Sequence, residues 1–376
     1  VERSRGLGDV YKRQSMLNLA DFSLLSISSY LRQIALVIIL TRSGLSLDLK
    51  ILKKIGRPAV LMCFVPACFE IIGITIFAPL VLKIGYFEAM LLGSVLAAVS
   101  PAVVVPRMIH LIEEGYGKKH GTPELVMAGA SCDDIFVIVL FYSFKNLVEA
   151  NTFSPFNFIQ IPISILSGIL LGMITGVVLV YTLKKIHINP GICCILLLGL
   201  SFGMLALEDY VKPYFSISAL LGIIVMAMMV SIFKKDMAKE VQKSYNSLWL
   251  GFEPFLFVLV GCATDIRYAF SVEGAIIAGL ICIALVFRSI GVICCLIATK
   301  FNWKEKIFII ISYLPKATVQ ASIGAIALAE GLACGATILT AAVISILITA
   351  PLGAFLMDNL SKKLLVREYE TIVEKS

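Results

Sequence analysis

The sequence predicts an all-α polytopic membrane protein built from two inverted helical trios, each with a broken middle helix. Composition is the first sign: 59% of residues are hydrophobic and 15% charged, with mean hydropathy +0.95, against about 25% charged in soluble domains. The second is a set of eleven apolar segments able to span or nearly span a bilayer, at about 24–41, 58–82, 87–110, 123–148, 160–183, 190–207, 214–233, 247–264, 273–299, 306–329 and 334–358. The third is proline interrupting the middle segment of two oppositely oriented trios.

Orientation follows from the loops. One set carries Arg42, Lys50, Lys53, Lys54 and Arg57; Arg107, Lys118 and Lys119; Lys184 and Lys185; Lys234, Lys235, Lys239 and Lys243; Lys300, Lys304 and Lys306; and, in the tail at 361–376, Lys362, Lys363, Arg367 and Lys375. The alternate set holds only Lys83, Lys145, Lys212 and Arg267. This bias places the basic loops and the C-terminus in the cytoplasm. The net charge of +7 is thereby explained by topology, and no nucleic-acid partner is implied. The opening VERSRGLGDVYKRQ runs against the pattern, because the topology puts residue 1 outside while Arg3, Arg5, Lys12 and Arg13 are basic. Residues 1–14 contain no apolar signal-peptide core and are expected to be a non-native or disordered head. A cytoplasmic native N-terminus would need an odd number of further helices upstream. The ten cysteines form no C-x-x-C pair and read as small buried residues.

The trios are 58–82, 87–110 and 123–148, and 273–299, 306–329 and 334–358. Pro101 and Pro106 are expected to break the first middle helix, and Pro315 the second. Paired broken helices in inverted repeats point to a secondary-transport site at the bilayer midplane. Pro101 has no N–H, so the carbonyl of Ala97 loses its helical donor. Backbone around Ala98, Val99 and Ser100 is then expected to face a cation. Residues 58–150 and 268–360 are expected to form a core domain and 158–186 a linker helix. Gly168, Gly172 and Gly176 give that linker a close-packing face. The sparsely charged 24–41 and 190–265 are expected to form a scaffold or dimerisation domain.

Asp133 and Asp134 lie roughly 15 Å along their helix, about halfway through a 30 Å hydrocarbon core. Each costs about 2.5–3.5 kcal/mol at that depth, a cost accepted mainly where acids face a water-filled cavity and carry ions or protons. Ala130, one turn earlier, is expected to add its carbonyl. Adjacent carboxylates titrate as a coupled pair, so protons and Na⁺ or Li⁺ compete for them. Glu70 and Arg288 occupy the first helices of their trios and are expected to pair, joint neutralisation recovering much of what either single change loses. Lys316, just after Pro315, is expected to supply counter-charge. No nucleotide-binding glycine motif or metal cluster appears, so no cofactor, ATP drive or enzymatic activity is expected. A sodium-coupled organic-anion symporter of similar architecture is the alternative, with the paired acids counting against it.

The segments GASCDDIFVIVLF, SPAVVVPRMI and LPKATVQASIGAIAL together resemble the cation:proton antiporter superfamily, specifically animal NHA-type sodium/proton antiporters of solute carrier family 9 subfamily B. The resemblance covers about residues 25–360. It implies an antiporter fold with two crossing broken helices. It also implies a homodimer with a mobile core and a static dimer domain, exchanging Na⁺ or Li⁺ for protons by an elevator-like motion. By motif, Asp133 and Asp134 correspond to the ion-binding pair, Glu70 and Arg288 to a core ion pair, and Lys316 to the lysine of the second unwound helix. The host bilayer would be the plasma membrane or an organelle membrane. A guanidinium does not release its proton, so Arg288 favours electroneutral exchange.

Overall fold

Hydrocarbon offers no partner to a backbone N–H or C=O, so an apolar chain of this composition must close its hydrogen bonds within helices. The computed structural model describes residues 28–46, 56–150, 155–186, 189–211, 215, 217–264 and 266–367. The head at 1–14, Lys50, Lys53, Lys54, Lys212 and the tail beyond Arg367 lie outside them. Among the described residues the regular elements are helices, with one isolated antiparallel bridge between Tyr116 and Arg367.

In chain order these are α1 (Ser28–Ser46), α2 (Arg57–Met62), α3 (Val65–Leu82), α4 (Tyr86–Leu96), α5 (Pro101–Glu113), α6 (Thr122–Ala150), α7 (Pro155–Lys185), α8 (Pro190–Val211), α9 (Ala219–Phe233), α10 (Lys235–Ala263), α11 (Ile266–Ala269), α12 (Val272–Cys295), α13 (Trp303–Ser312), α14 (Thr318–Ala329) and α15 (Gly335–Leu364). Seven stretches are long and apolar enough to cross a membrane: Arg57–Leu82, Tyr86–Glu113, Thr122–Glu149, Ile163–Lys185, Pro190–Val211, Val272–Cys295 and Gly335–Leu364. Gln33–Leu45, Ala219–Phe233 and Thr318–Ala329 are shorter apolar helices. The chain is an integral membrane protein.

Both middle segments are split. Non-helical backbone at 97–100 separates α4 from α5, and non-helical backbone at 314–317, with the turn at Tyr313, separates α13 from α14. Pro101 sits at the first position of α5, where a missing N–H costs nothing. Pro106 does not break the chain: α5 runs through it, just as α3, α10 and α15 run through Pro79, Pro254 and Pro351. The α13 half-helix opens with a reciprocal cap. Asn302 Oδ1 accepts from the Glu305 N–H at 2.9 Å, and Glu305 Oε2 accepts from the Asn302 N–H at 2.7 Å.

Packing pairs the trios through their first helices, α3 against α12, with α4 wedged between α3 and α6 and with α14 on α15. The remaining long helices pack mainly on each other, α9 against α1 and α7, and α10 against α1. α10 begins at Lys235, so Lys239 and Lys243, expected in a loop before 247, lie on its exposed first turns. Lys145, counted with the loop charges although it falls inside the segment 123–148, is buried within α6 and pairs with Glu330 at 2.7 Å. Cys132, Cys193, Cys194, Cys295 and Cys334 are buried as expected, whereas Cys282 is exposed.

The glycines of α7 make the close approach their spacing predicts. A Cβ at Gly168 would lie 2.5 Å from the Ser218 oxygen, and one at Gly172 would lie 2.4 Å from the Gly222 oxygen. Both neighbours are backbone atoms that cannot rotate away. Gly172→Val should therefore cost about 1–3 kcal/mol of overpacking. We expect it to lower the thermal midpoint in detergent, while Gly199→Val, which meets nothing within 4 Å, leaves the midpoint near wild type.

Candidate ion-transport site

The site grows out of the carbonyls that the first break releases. In an unbroken helix Leu96 would bond the Ser100 N–H and Ala97 the residue at 101. The Ser100 N–H instead donates to Pro315 O at 2.9 Å, joining the two breaks where they cross. Residue 101 is proline and has nothing to donate. Each released carbonyl takes a side chain from the other trio: Leu96 O accepts from Lys316 Nζ, Ala97 O from Arg288 Nη1, and Ala98 O from Gln320 Nε2 at 2.6 Å. Arg288 Nε also donates to Tyr313 O, beside the second break, at 2.8 Å.

Buried bases require buried acids. Arg288 Nη1 reaches Glu70 Oε2 at 2.7 Å and Nη2 reaches Asp133 Oδ2 at 2.8 Å. Lys316 Nζ lies 2.7 Å from Glu70 Oε1. Asp133 Oδ2 further accepts from the Val99 N–H at 2.9 Å. Glu70, Asp133, Arg288 and Lys316 are 0% exposed and Asp134 is 1% exposed. The structure therefore brings together the acids and bases singled out in the sequence, but as a chain of contacts and not as a private Glu70–Arg288 pair.

The backbone ligands are arranged differently from the expectation. Ala98 O is occupied by Gln320, and Val99 engages Asp133 through its N–H. Ala130 is fully buried in uninterrupted α6, so its carbonyl keeps its helical partner. Among the described residues, the buried site oxygens without a hydrogen-bond partner include Asp133 Oδ1, Asp134 Oδ1, Ser100 Oγ and the Tyr313 hydroxyl, while Glu70 Oε1 is ion-paired with Lys316. They offer hard donors of the kind that small monovalent cations take.

A family profile described as "Sodium/hydrogen exchanger, transmembrane" matches residues 12–358. The chain belongs to this exchanger family. It is 35% identical over 346 residues to human sodium/hydrogen exchanger 9B2, covering 90% of this chain and 64% of that protein. It is 34% identical over 354 residues to human sodium/hydrogen exchanger 9B1, covering 91% and 68%. The chain thus spans somewhat under two thirds of the 9B2 relatives it matches. Its fold resembles the structure of the sodium proton antiporter MjNhaP1 from Methanocaldococcus jannaschii, with TM-score 0.78 over 91% of this chain and 87% of that one, at 20% identity.

Several residues at the candidate site were not singled out in the sequence. Gln320 bridges the breaks, its Oε1 accepting from the Ala317 N–H at 2.9 Å while its Nε2 caps Ala98. Its position one turn beyond Lys316 was the available clue. Thr349 Oγ1 accepts from the Lys316 N–H at 3.0 Å, from a helix with no marked feature there. The Tyr313 ring lies 5.5 Å from the Arg288 guanidinium, and its hydroxyl presses on Gly129, where a Cβ would sit 1.8 Å away. Arg42, assigned to a loop, lies inside α1 within electrostatic reach of Asp134 and Glu253.

The contact pattern revises the expected pairwise compensation. Arg288→Gln strands two carbonyls and two acids, and should cost about 3–5 kcal/mol, the range for a broken buried ion pair. Glu70→Gln removes the carboxylate beside Lys316, which keeps the Leu96 carbonyl, while Arg288 keeps Asp133 and both carbonyls, so it should cost less than Arg288→Gln. The double variant should melt near Arg288→Gln in a tryptophan-fluorescence unfolding experiment. A double variant restored to wild type would show that Glu70 is the partner that matters.

Proposed function

We propose that this exchanger-family chain carries out monovalent cation:proton antiport, Na⁺ or Li⁺ against H⁺, by alternating access. The observation that carries the reading is the charge balance of the buried cluster. Glu70, Asp133 and Asp134 are buried together with Arg288 and Lys316, and the one further cation named near them, Arg42 on α1, is shared between Asp134 and Glu253. Fully ionised, it holds one surplus negative charge that a single cation or a single proton neutralises. Desolvated surplus charge is costly, so the site favours being loaded with one or the other. The surplus falls on Asp134: among the described residues no hydrogen bond or ion pair reaches its carboxylate. Asp133 Oδ1 and Ser100 Oγ would complete the cation's oxygen shell. The names of the relatives, exchangers and a sodium proton antiporter, favour antiport over the organic-anion symporter.

The same reading assigns α2–α6 and α11–α15 to the moving body. α1 and α7–α10 form a static scaffold through which two copies pair in the lipid bilayer. The exchange moves as an elevator, with the basic loops in the cytoplasm. Asp134→Asn should abolish sodium- or lithium-driven proton movement in proteoliposomes of the full-length protein while leaving its melting intact. Asp133→Asn should abolish it too, with some loss of stability because Arg288 loses a partner. Full antiport by the double Asn variant would refute the assignment.

Stoichiometry follows from the same balance. Arg288 stays protonated, and Lys316 is held between Glu70 and the Leu96 carbonyl, so the acid pair supplies the exchangeable proton. One proton then leaves for each cation. Under a potassium–valinomycin clamp, the sodium/proton exchange rate should be independent of voltage; a rate that shifts with the imposed potential would show electrogenic exchange.

A further inference from the structure

Tyr313 stands just past the end of α13, where the second break begins, and both its backbone and its ring serve the buried cluster. Its carbonyl accepts from Arg288 Nε at 2.8 Å, and its ring lies 5.5 Å from that guanidinium. Its hydroxyl has no such duty. The residue is 0% exposed, and the hydroxyl has no hydrogen-bond partner among the described residues. A buried polar group left unpaired is costly. Phenylalanine would make the same ring contacts without that cost.

The hydroxyl is aimed at α6. A Cβ added to Gly129 would lie 1.8 Å from it, so the close approach depends on glycine. Gly129 precedes Asp133 by one turn on the same face of α6, about 6 Å along the axis. Helical side chains lean back over the turn before them, which carries the Asp133 carboxylate toward the hydroxyl. Asp133 Oδ2 is committed to Arg288 and to the Val99 N–H, whereas Oδ1 has no partner. A donor and an acceptor, both unpaired, thus share one face of α6, and Asp133 lies within electrostatic reach of the phenol. We propose that Tyr313 is a positioning residue of the transport site, its hydroxyl holding Asp133 Oδ1 through one bridging water. Two hydrogen bonds through a water span about 5–6 Å, the interval set by the helical turn.

The other ionisable groups around the phenol are Arg288 on α12, Cys63 between α2 and α3, and Cys132 on α6. Lys316 also stands near Asp133, and Asp134 adjoins it. Arg288 and Lys316 are engaged by carbonyls and acids. Thiols are weak donors, and an ionised Asp134 only accepts. The phenol is the strong neutral donor among them. The inference rests on the antiport reading and refines it. A donor aimed at a carboxylate favours its ionised form, the form that a cation requires. Oδ1 keeps a second lone pair with which to face that cation. The hydroxyl therefore tilts the competition at the acid pair toward the cation and against the proton.

In proteoliposomes of the full-length protein, Tyr313→Phe should raise the apparent KM for sodium or lithium roughly two- to tenfold. The maximal rate should fall less, and the pH–rate curve should move to more alkaline pH, because the proton competes better once the donor is gone. The melting midpoint should stay near wild type, since the ring contacts remain; a merely structural role would instead move melting and maximal rate. Gly129→Ala should lower the melting midpoint, and lower it less in combination with Tyr313→Phe, because its added methyl meets the hydroxyl first. Equal loss in both backgrounds overturns the placement of the hydroxyl. A Tyr313→Phe variant with wild-type KM and pH profile overturns its role and leaves antiport standing. Wild-type protein that moves no protons against sodium or lithium overturns both.

Discussion

A helix broken inside hydrocarbon leaves carbonyls that water cannot reach, each worth several kcal/mol if unpaired. The rest of the central structure can be derived from that constraint. The break at 97–100 releases Leu96, Ala97 and Ala98, and the opposite trio answers with Lys316, Arg288 and Gln320. Two of these caps are cations, and a buried cation is tolerable only beside an anion. Glu70 and Asp133 follow from the caps. A lysine in place of Arg288 would lack the planar fork that serves Tyr313 O, Ala97 O, Glu70 and Asp133 together from one side chain.

Bracing of this kind limits what can move. Arg288 ties α12 to α3, α6 and both breaks, and the Ser100–Pro315 hydrogen bond ties the breaks to each other. Shearing one trio past the other would uncover several buried polar groups at once. Closely packed, fully bonded cores respond as discrete bodies and do not deform smoothly. In the proposed cycle, the two trios therefore travel together, and the sliding surface is the mostly apolar contact they make with α1 and α7–α10. The glycine seam between α7 and α9 makes the scaffold side correspondingly stiff.

The membrane makes some of this legible in the sequence and hides the rest. Ionisable residues are costly at midplane depth, so Glu70, Asp133, Asp134, Arg288 and Lys316 stand out, and the structure gathers all five. Neutral polar residues carry no such penalty on a sequence scan, which is why Gln320 and Thr349 gave no comparable signal. Proline is ambiguous for a physical reason. Neighbouring groups can absorb one freed carbonyl, so Pro79, Pro106, Pro254 and Pro351 sit in continuous helices while Pro101 and Pro315 mark true breaks. Loop charge is a coarser signal, because Arg42, Lys145, Lys239 and Lys243 lie within helices, Lys145 being balanced by Glu330.

Helix geometry also divides labour between the adjacent acids. Consecutive residues on an α-helix point about 100° apart, so Asp133 and Asp134 cannot both address Arg288. Asp133 faces the crossing and is engaged there by Arg288 and the Val99 N–H. Asp134 turns elsewhere and falls within the electrostatic reach of Arg42 on α1. The acid with the unbalanced charge is thus also the one that senses the other group of helices. In the proposed antiport cycle, loading Asp134 with a cation or a proton cancels its charge before the trios slide across that surface. An empty, ionised Asp134 would have to carry its full desolvation cost along, and that difference is what would couple movement to occupancy.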